Sequence, residues 1–261
     1  MTKTENRVAV VTGGASGIGE AVLRRFAEAG WQVVSADIDT RRGEAIVAEL
    51  SRAGVQSLFI RADMAEESDI EKLAAEVHER FGTADALVNS AGLLQNAVRV
   101  VDMDIAEFDR IQAVNVRGTL LASRCFGKAM CAEGSGSIVN LCSLTGIRPS
   151  AQPAYAVGKA GLDMLTQILA AEFGPQGVRV NAVAPGYTLT PAMQARIDSG
   201  ARDPKRVTEN SALGRFVAPR EVADAILFLC SDMASAITGV TLPIDCGWLA
   251  TSAYKSYAAQ P

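Results

Sequence analysis

A rhythm constrains this chain more than any single residue. Short runs rich in Val, Ile and Leu alternate with longer amphipathic stretches. The runs fall at 7–12, 31–36, 55–60, 86–89, 136–141 and 178–183, with a weaker one at 240–244. The helical patterns between them cover about 17–29, 40–53, 66–81, 104–132, 153–173 and 219–231. Runs that are apolar at every position suit strands covered on both faces. Strands that run in one direction need a crossover between them, and helices of this length supply it. The sequence therefore predicts an α/β fold: a doubly wound parallel sheet of about seven strands with helices on both faces. No repeat or low-complexity linker interrupts the 261 residues, so a single domain, 1–261, is expected. One segment breaks the rhythm. Residues 187–216 hold Pro191, Gly200, Pro204 and Gly214 around a charged middle and read as a substrate lid. The tail after Gly247 reads as irregular.

Composition narrows the function. No stretch approaches the roughly 20 apolar residues of a membrane span, and the polar start, Met1 to Arg7, has no apolar signal core. These features predict a cytoplasmic protein with no membrane partner. The formal net charge of −4 argues against nucleic acid, which asks for a basic face. The five cysteines, Cys125, Cys131, Cys142, Cys230 and Cys246, form no C-x-x-C pair and read as reduced, mostly buried thiols. The single histidine, His78, lies among Glu71, Lys72, Glu76, Glu79 and Arg80, the setting of a solvated helix face. No metal site is expected from one His and scattered Cys. A Ser-His-Asp triad would have only His78 to use and lacks a G-x-S-x-G elbow.

The first apolar run leads into Thr12-Gly13-Gly14-Ala15-Ser16-Gly17-Ile18-Gly19, and a helical pattern follows at once. Glycine lets the chain turn sharply, lets backbone approach a pyrophosphate, and lets the helix pack on the sheet. The helix N-terminus then presents unpaired N–H groups to phosphate. A glycine-rich loop alone says little; its place between strand and helix carries the reading. The second run ends at Asp37, 18 residues beyond Gly19. A carboxylate there can accept both adenosine ribose hydroxyls and repel a 2′-phosphate, so the cofactor expected is NAD rather than NADP. Asp37 could equally cap the next helix, as Asp39 could, and Arg41 and Arg42 could turn towards a phosphate.

Tyr155 and Lys159 stand four apart near the start of a helical stretch, on one helix face. Ser143 follows the fifth apolar run, so it belongs at the ligand-binding edge of the sheet. A free phenol near pKa 10 is a poor base at neutral pH; a nearby ammonium favours phenolate. Tyr155 could then take the proton of an alcohol while hydride leaves its carbon, and act as the acid in reverse. Alone, the Tyr-Lys pair is also the ordinary face of an amphipathic helix.

Taken together, these motifs resemble the classical short-chain dehydrogenase/reductase family over about residues 7–247. The resemblance rests on Thr12 to Gly19, Asp37, Asp63, Asn89-Ser90-Ala91-Gly92, Asn115, Ser143, Tyr155 with Lys159, and Pro185-Gly186. Ser90 departs from the small residue or Asn frequent there. The resemblance implies a Rossmann-type fold with the cofactor across the strand C-termini. It makes Ser143, Tyr155, Lys159 and Asn115 the catalytic set, with Asn115 holding a water that links Lys159 to solvent. Asn115 also reads as a polar residue kinking its helix. Cofactor contacts are implied for Gly13, Ser16, Gly17, Ile18, Gly19, Asp37, Asp63, Met64, Asn89, Ala91, Gly92, Tyr155, Lys159, Pro185, Gly186 and Thr188. Asp63 could instead cap the helix at Glu66 and Glu67.

The pocket wall is expected to include Leu93, Leu94, Gln95, Thr145, Gly146, Ile147, Arg148, Gln152 and Tyr187, with Gln95, Thr145, Gln152 and Tyr187 as substrate contacts. The function expected is interconversion of a secondary alcohol and its ketone, slightly favouring a polyol or sugar alcohol held by Gln95, Gln152 or Arg148. A hydroxysteroid or hydrophobic secondary alcohol and a 3-oxoacyl thioester are the alternatives. A non-catalytic NAD-binding regulator is the alternative of another class. The family's habit implies a homotetramer.

Overall fold

The computed structural model describes residues 7–254; residues 1–6 and 255–261 lie outside the described residues. The predicted seven strands are present: β1 (Val8–Thr12), β2 (Gln32–Asp37), β3 (Ser57–Arg61), β4 (Ala86–Asn89), β5 (Gly136–Leu141), β6 (Val178–Pro185) and β7 (Thr241–Ile244). They form one parallel sheet in the order β3-β2-β1-β4-β5-β6-β7. The helices are α1 (Gly17–Glu28), α2 (Thr40–Arg52), α3 (Glu67–Phe81), α4 (Ile105–Gln112), α5 (Thr119–Glu133), α6 (Pro153–Phe173), α7 (Pro191–Asp198), α8 (Pro204–Glu209), α9 (Pro219–Cys230) and α10 (Trp248–Tyr254). Among the described residues no helix is long and apolar enough to cross a membrane.

Strand alternation splits the core into two layers. Val8 and Val10 of β1 join Ile70, Leu73, Phe126, Met130 and Leu169 from α3, α5 and α6. Ala9 and Val11 face the other way, onto Val22, Leu23, Phe26, Ile46, Leu50, Ile226 and Leu229 from α1, α2 and α9. The strand order reverses between β1 and β4, which opens a crevice at their carboxyl ends.

Three expectations are corrected. The continuous helix over 104–132 is interrupted by a π-helical turn, Ala113–Gly118, between α4 and α5. A Cβ on Gly118 would stand 2.4 Å from the Met64 carbonyl oxygen, so only glycine lets this wide turn approach the chain after β3. The 187–216 segment is not irregular: α7 and α8 each start on a proline behind a side-chain cap, from Thr190 and Asp203. The tail is helical over Trp248–Tyr254, with Asp245 accepting from the Gly247 and Leu249 amides.

A buried amide chain ties the sheet to α5 and α6. Asn89 donates to Asn140 Oδ1 at 2.9 Å and to Ser123 Oγ at 3.1 Å, and Asn140 donates to Thr166 Oγ1 at 2.9 Å. All four groups are buried, so each bond replaces water that cannot enter. Asn140→Leu leaves polar atoms of Asn89 and Thr166 short of partners and should lower the unfolding free energy by about 1–3 kcal/mol. Urea unfolding with an unchanged m-value measures this; no shift in midpoint would show that the chain adds nothing to stability.

Candidate active site

The carboxyl edge of the sheet holds a cleft of about 430 Å³. Its walls include Gly13, Ser16, Gly17, Ile18 and Gly19 after β1, Asp37 after β2, Asp63 and Met64 after β3, Ala91 and Gly92 after β4, and Tyr155 and Lys159 from α6. The loop after β1 is pressed against its neighbours. A Cβ on Gly13 would stand 2.7 Å from Ala91 Cα, and one on Gly19 would stand 2.0 Å from the Gly13 carbonyl oxygen. Thr12 Oγ1 accepts from the Ser90 and Ala91 amides, both at 3.2 Å, and so docks the loop after β4 on the end of β1.

Ser16 is the N-cap of α1 and makes no side-chain cap bond, so it leaves the leading N–H groups of that helix open to the cleft. Gly17 has φ +57°, and its nearest neighbour across the cleft is Thr190 Cγ2, 3.5 Å from where a Cβ would stand. Asp37 accepts from the Ala15 amide at 3.0 Å and the Asp39 amide at 3.0 Å, which fixes its carboxylate at the cleft wall. Capping of α2 falls to Asp39, whose side chain accepts from the Arg42 amide. Arg42 also lines the cleft, with Nε 3.7 Å from Asp39 Oδ2. Exposed Ile38 adds a flat apolar surface beside Asp37. Asp63 accepts from the Ala65 amide at 2.9 Å, a tight turn rather than a cap at Glu66.

The Ser143 side chain is near enough to the Tyr155 phenol to favour its ionised form, and Ser143 Oγ accepts from the Thr145 hydroxyl at 3.1 Å. Burial pushes the Tyr155 phenol up to about 12, against the opposing pull of Ser143. Lys159 is buried, donates to the Leu141 carbonyl at the end of β5, and lies 5.5 Å from the Tyr155 ring centroid. Burial lowers its ammonium to about 8. Asn115 sits in the π turn and grips the loop after β4 with both ends of its amide, accepting from the Leu93 amide at 2.7 Å and donating to the Leu93 carbonyl at 3.0 Å.

Several expected contacts lie elsewhere. Asn89 turns inward, to Asn140 and Ser123, and not into the cleft. Pro185 and Gly186 end β6 beside Leu144, but buried Thr188 spends its hydroxyl on the Gly186 carbonyl. Thr190, Pro191 and Ala192 line the cleft in its place, a wall the sequence reading missed. The Thr-Pro helix start was the available signal. Gln95 is corrected outright. It is fully buried, and its Oε1 accepts from the Ala154 amide at 2.9 Å and the Tyr155 amide at 3.3 Å. It caps α6 from outside the helix and, being fully buried, lies out of a substrate's reach, with its Nε2 left without a partner. Gln152 is likewise engaged, donating to the Gln95 carbonyl, and Arg148 is exposed. Tyr187 packs edge-on against Trp248 with centroids 5.9 Å apart.

The sequence profile described as enoyl-(acyl carrier protein) reductase matches residues 13–249. The chain belongs to the short-chain dehydrogenase/reductase family. It is 37% identical to a cis-4-hydroxycyclohexanecarboxylate dehydrogenase of Sinomonas cyclohexanicum, over 94% of this chain and 97% of that one. It is 37% identical to the 2,5-dichloro-2,5-cyclohexadiene-1,4-diol dehydrogenase LinX of Sphingobium indicum, over 93% and 96%. Among solved structures, levodione reductase superposes with a TM-score of 0.90 at 32% identity, covering 97% of this chain and all of that one. As a short-chain dehydrogenase/reductase the chain is an oxidoreductase acting on CH–OH groups with a nicotinamide cofactor.

Gln95 holds the first turn of the helix that carries Tyr155, so it acts on the phenol through the backbone. Gln95→Leu removes the acceptor of two buried amides. It should lower kcat about 10–100-fold, the equivalent of about 1.4–2.7 kcal/mol, with cofactor affinity largely kept. Gln95→Glu keeps the acceptor at a helix N-terminus and should recover part of the loss. Equal losses in both variants, or a matching loss of cofactor binding, would argue against this positioning role.

Proposed function

We propose that the chain is an NAD(H)-dependent dehydrogenase/ketoreductase that interconverts a secondary alcohol and its ketone, with Tyr155 as general acid and base. One observation carries the reading: Tyr155 and buried Lys159, 5.5 Å from its ring centroid, line a cleft walled by a glycine loop and Asp37, with Ser143 beside the phenol. The walls fit a dinucleotide. The open N-terminus of α1 suits the pyrophosphate. The fixed Asp37 carboxylate suits the ribose hydroxyls. Ile38, Ala62 and Met64 suit the face of an adenine. Asp63, Ala91 and Gly92 belong to the same half of the site. Lys159 is placed to reach the nicotinamide ribose, and Pro185 and Gly186 stand at the nicotinamide end.

The nicotinamide supplies the hydride acceptor or donor when it is bound. This chain's residues manage the proton. Ser143 and Tyr155 together orient the substrate oxygen, and Tyr155 takes its proton during oxidation and returns it during reduction. Lys159 sets how readily that proton leaves. Asn115 fixes Leu93 at the rim of the cleft and holds the water path behind Lys159.

Burial lowers the Lys159 ammonium to about 8 and raises the Tyr155 phenol to about 12, so the first proton the pair loses is the lysine's, and neutral Lys159 can then take up the proton that Tyr155 passes on. Oxidation needs the deprotonated pair and reduction the protonated one. The kcat/KM for oxidation should therefore rise with pH through about 8, and that for reduction should fall. Lys159→Met should move both limbs upward by more than about one pH unit, towards the phenol's own range. Tyr155→Phe should cut turnover at least about 1,000-fold with cofactor binding kept. Turnover at the wild-type rate in Tyr155→Phe would end the mechanism.

NAD is favoured over NADP by Asp37 and by Asp39, which draws Arg42 away from a 2′-phosphate. Wild type should prefer NAD by kcat/KM, and Asp37→Ala should narrow that preference at least tenfold, about 1.4 kcal/mol. A wild-type preference for NADP would overturn the assignment.

The substrate class shifts from the sequence expectation. A polyol reading relied on Gln95, Gln152 or Arg148; the first two are spent on the protein itself and the third is exposed. The names of the relatives support a cyclic secondary alcohol instead. Thr145 and Tyr187 remain beside the reacting oxygen and the ring. Segment 187–216, with α7 and α8, serves as the lid. Self-association into a homotetramer is supported by Val157, Met164 and Ile168, exposed along one stripe of α6.

A further inference from the structure

The lid segment 187–216 carries five basic and three acidic side chains, in a chain whose net charge is −4. Most of its cations are paired: Lys205 with Glu209, Arg206 with Asp203, and Arg215 with Glu221. Arg202 has no ion-pair partner among the described residues. It is half-buried, and its Nε is buried without a hydrogen-bond partner. Its guanidinium lies over the Tyr187 ring, 5.4 Å from the centroid. Tyr187 in turn meets Trp248 edge-on.

This trio is anchored beside the Ser143 turn. Gly186, next to Tyr187, stands so close to Leu144 that a Cβ on it would be 3.3 Å from Leu144 Cδ1. Leu144 follows Ser143 directly. The end of β6 therefore places Tyr187 one residue along the chain from the contact with the Ser143 turn. α7 is clipped to the opposite rim, where Arg196 donates to Asn96 Oδ1 at 3.1 Å. A guanidinium stacked on an aromatic face keeps its N–H groups in the plane; with Nε buried, the two terminal amino groups form the fork that matches a carboxylate. A buried, unpartnered guanidinium nitrogen beside an aromatic wall is costly unless something completes it.

We propose that Arg202 is a specificity-determining residue, and that the substrate is a secondary alcohol with an apolar body and a carboxylate at the end remote from the hydroxyl. The body packs on Tyr187 and Trp248, and the carboxylate forks onto Arg202. This rests on the dehydrogenase reading above and deepens it.

The test compares 4-hydroxycyclohexanecarboxylate with its neutral carboxamide, following NADH. Wild type should favour the acid by at least about tenfold in kcat/KM, and added salt should weaken the acid only. Arg202→Gln should lower kcat/KM for the acid about 10–100-fold, chiefly through KM, and compress the acid-to-amide ratio towards one. Arg202→Glu should reverse the sign of the preference, measured with 4-(aminomethyl)cyclohexanol against the acid. If the variants fold poorly, the wild-type ratio and its salt dependence still decide. Equal use of acid and amide by wild type overturns this proposal and leaves the dehydrogenase reading standing. Failure to reduce NAD with any alcohol of the series overturns that reading, and this one with it.

Discussion

All seven strands point the same way, and that shared direction organises the rest of the molecule. Parallel strands need a crossover each time, and the crossovers here change face where the order reverses: α1 and α2 cover one face, α3, α5 and α6 the other, and α9 returns to the first. Every strand then delivers its last residue to one edge. Asp37 leaves β2 there, Ser90 to Gly92 leave β4, Ser143 leaves β5, and Gly186 leaves β6. The helices that follow point their N-termini at the same edge, where α1 meets the cleft with an open first turn. Residues 150 positions apart in sequence meet because the sheet permits no other gathering point.

Gathering is not yet positioning, and a second layer of interactions supplies that. It is built from uncharged amides. Asn89, Asn140 and Thr166 tie β4, β5 and α6 together. Gln95 caps α6, Gln112 donates to the Ala154 carbonyl at 2.7 Å from the far side, and Asn115 holds Leu93. Amides suit this work because each offers a donor and an acceptor without the desolvation cost of a charge. The two groups that must carry charge during turnover, Tyr155 and Lys159, thereby share the catalytic end of α6 with positioning groups that carry no charge.

The fold was legible because periodicity is a property of many residues at once. All seven strands were found, and β3 alone was displaced by more than one residue at its start. The glycine loop and Asp37 were legible for a related reason: their demands are on backbone shape and on the strand end, both local. Helix 104–132 reads as continuous in sequence because the backbone stays helical into and out of the π turn, with Ala113 and Thr119 both in the αR region. Gln95 was misread for a deeper reason. Polar residues in a loop beside an active site look alike in sequence whether they turn outward to a ligand or inward to a helix end. The choice depends on where α6 begins in space, about 60 residues further along the chain.

That distinction also explains how the substrate reading moved. A polar side chain counts towards recognition only while its hydrogen-bonding groups are free. Gln95 is fully buried with its Oε1 on the first turn of α6, and Gln152 donates to the Gln95 carbonyl, so their polarity is turned to the protein rather than to hydroxyls on a ligand. Arg202 is the reverse case: it was absorbed in a lid that sequence could describe only as charged, yet it is held against Tyr187 with a nitrogen left unsatisfied. Gln95 Nε2 also lacks a partner, but Gln95 is fully buried; Arg202 is only half-buried, so its guanidinium is the unsatisfied donor that a group from outside the chain can reach.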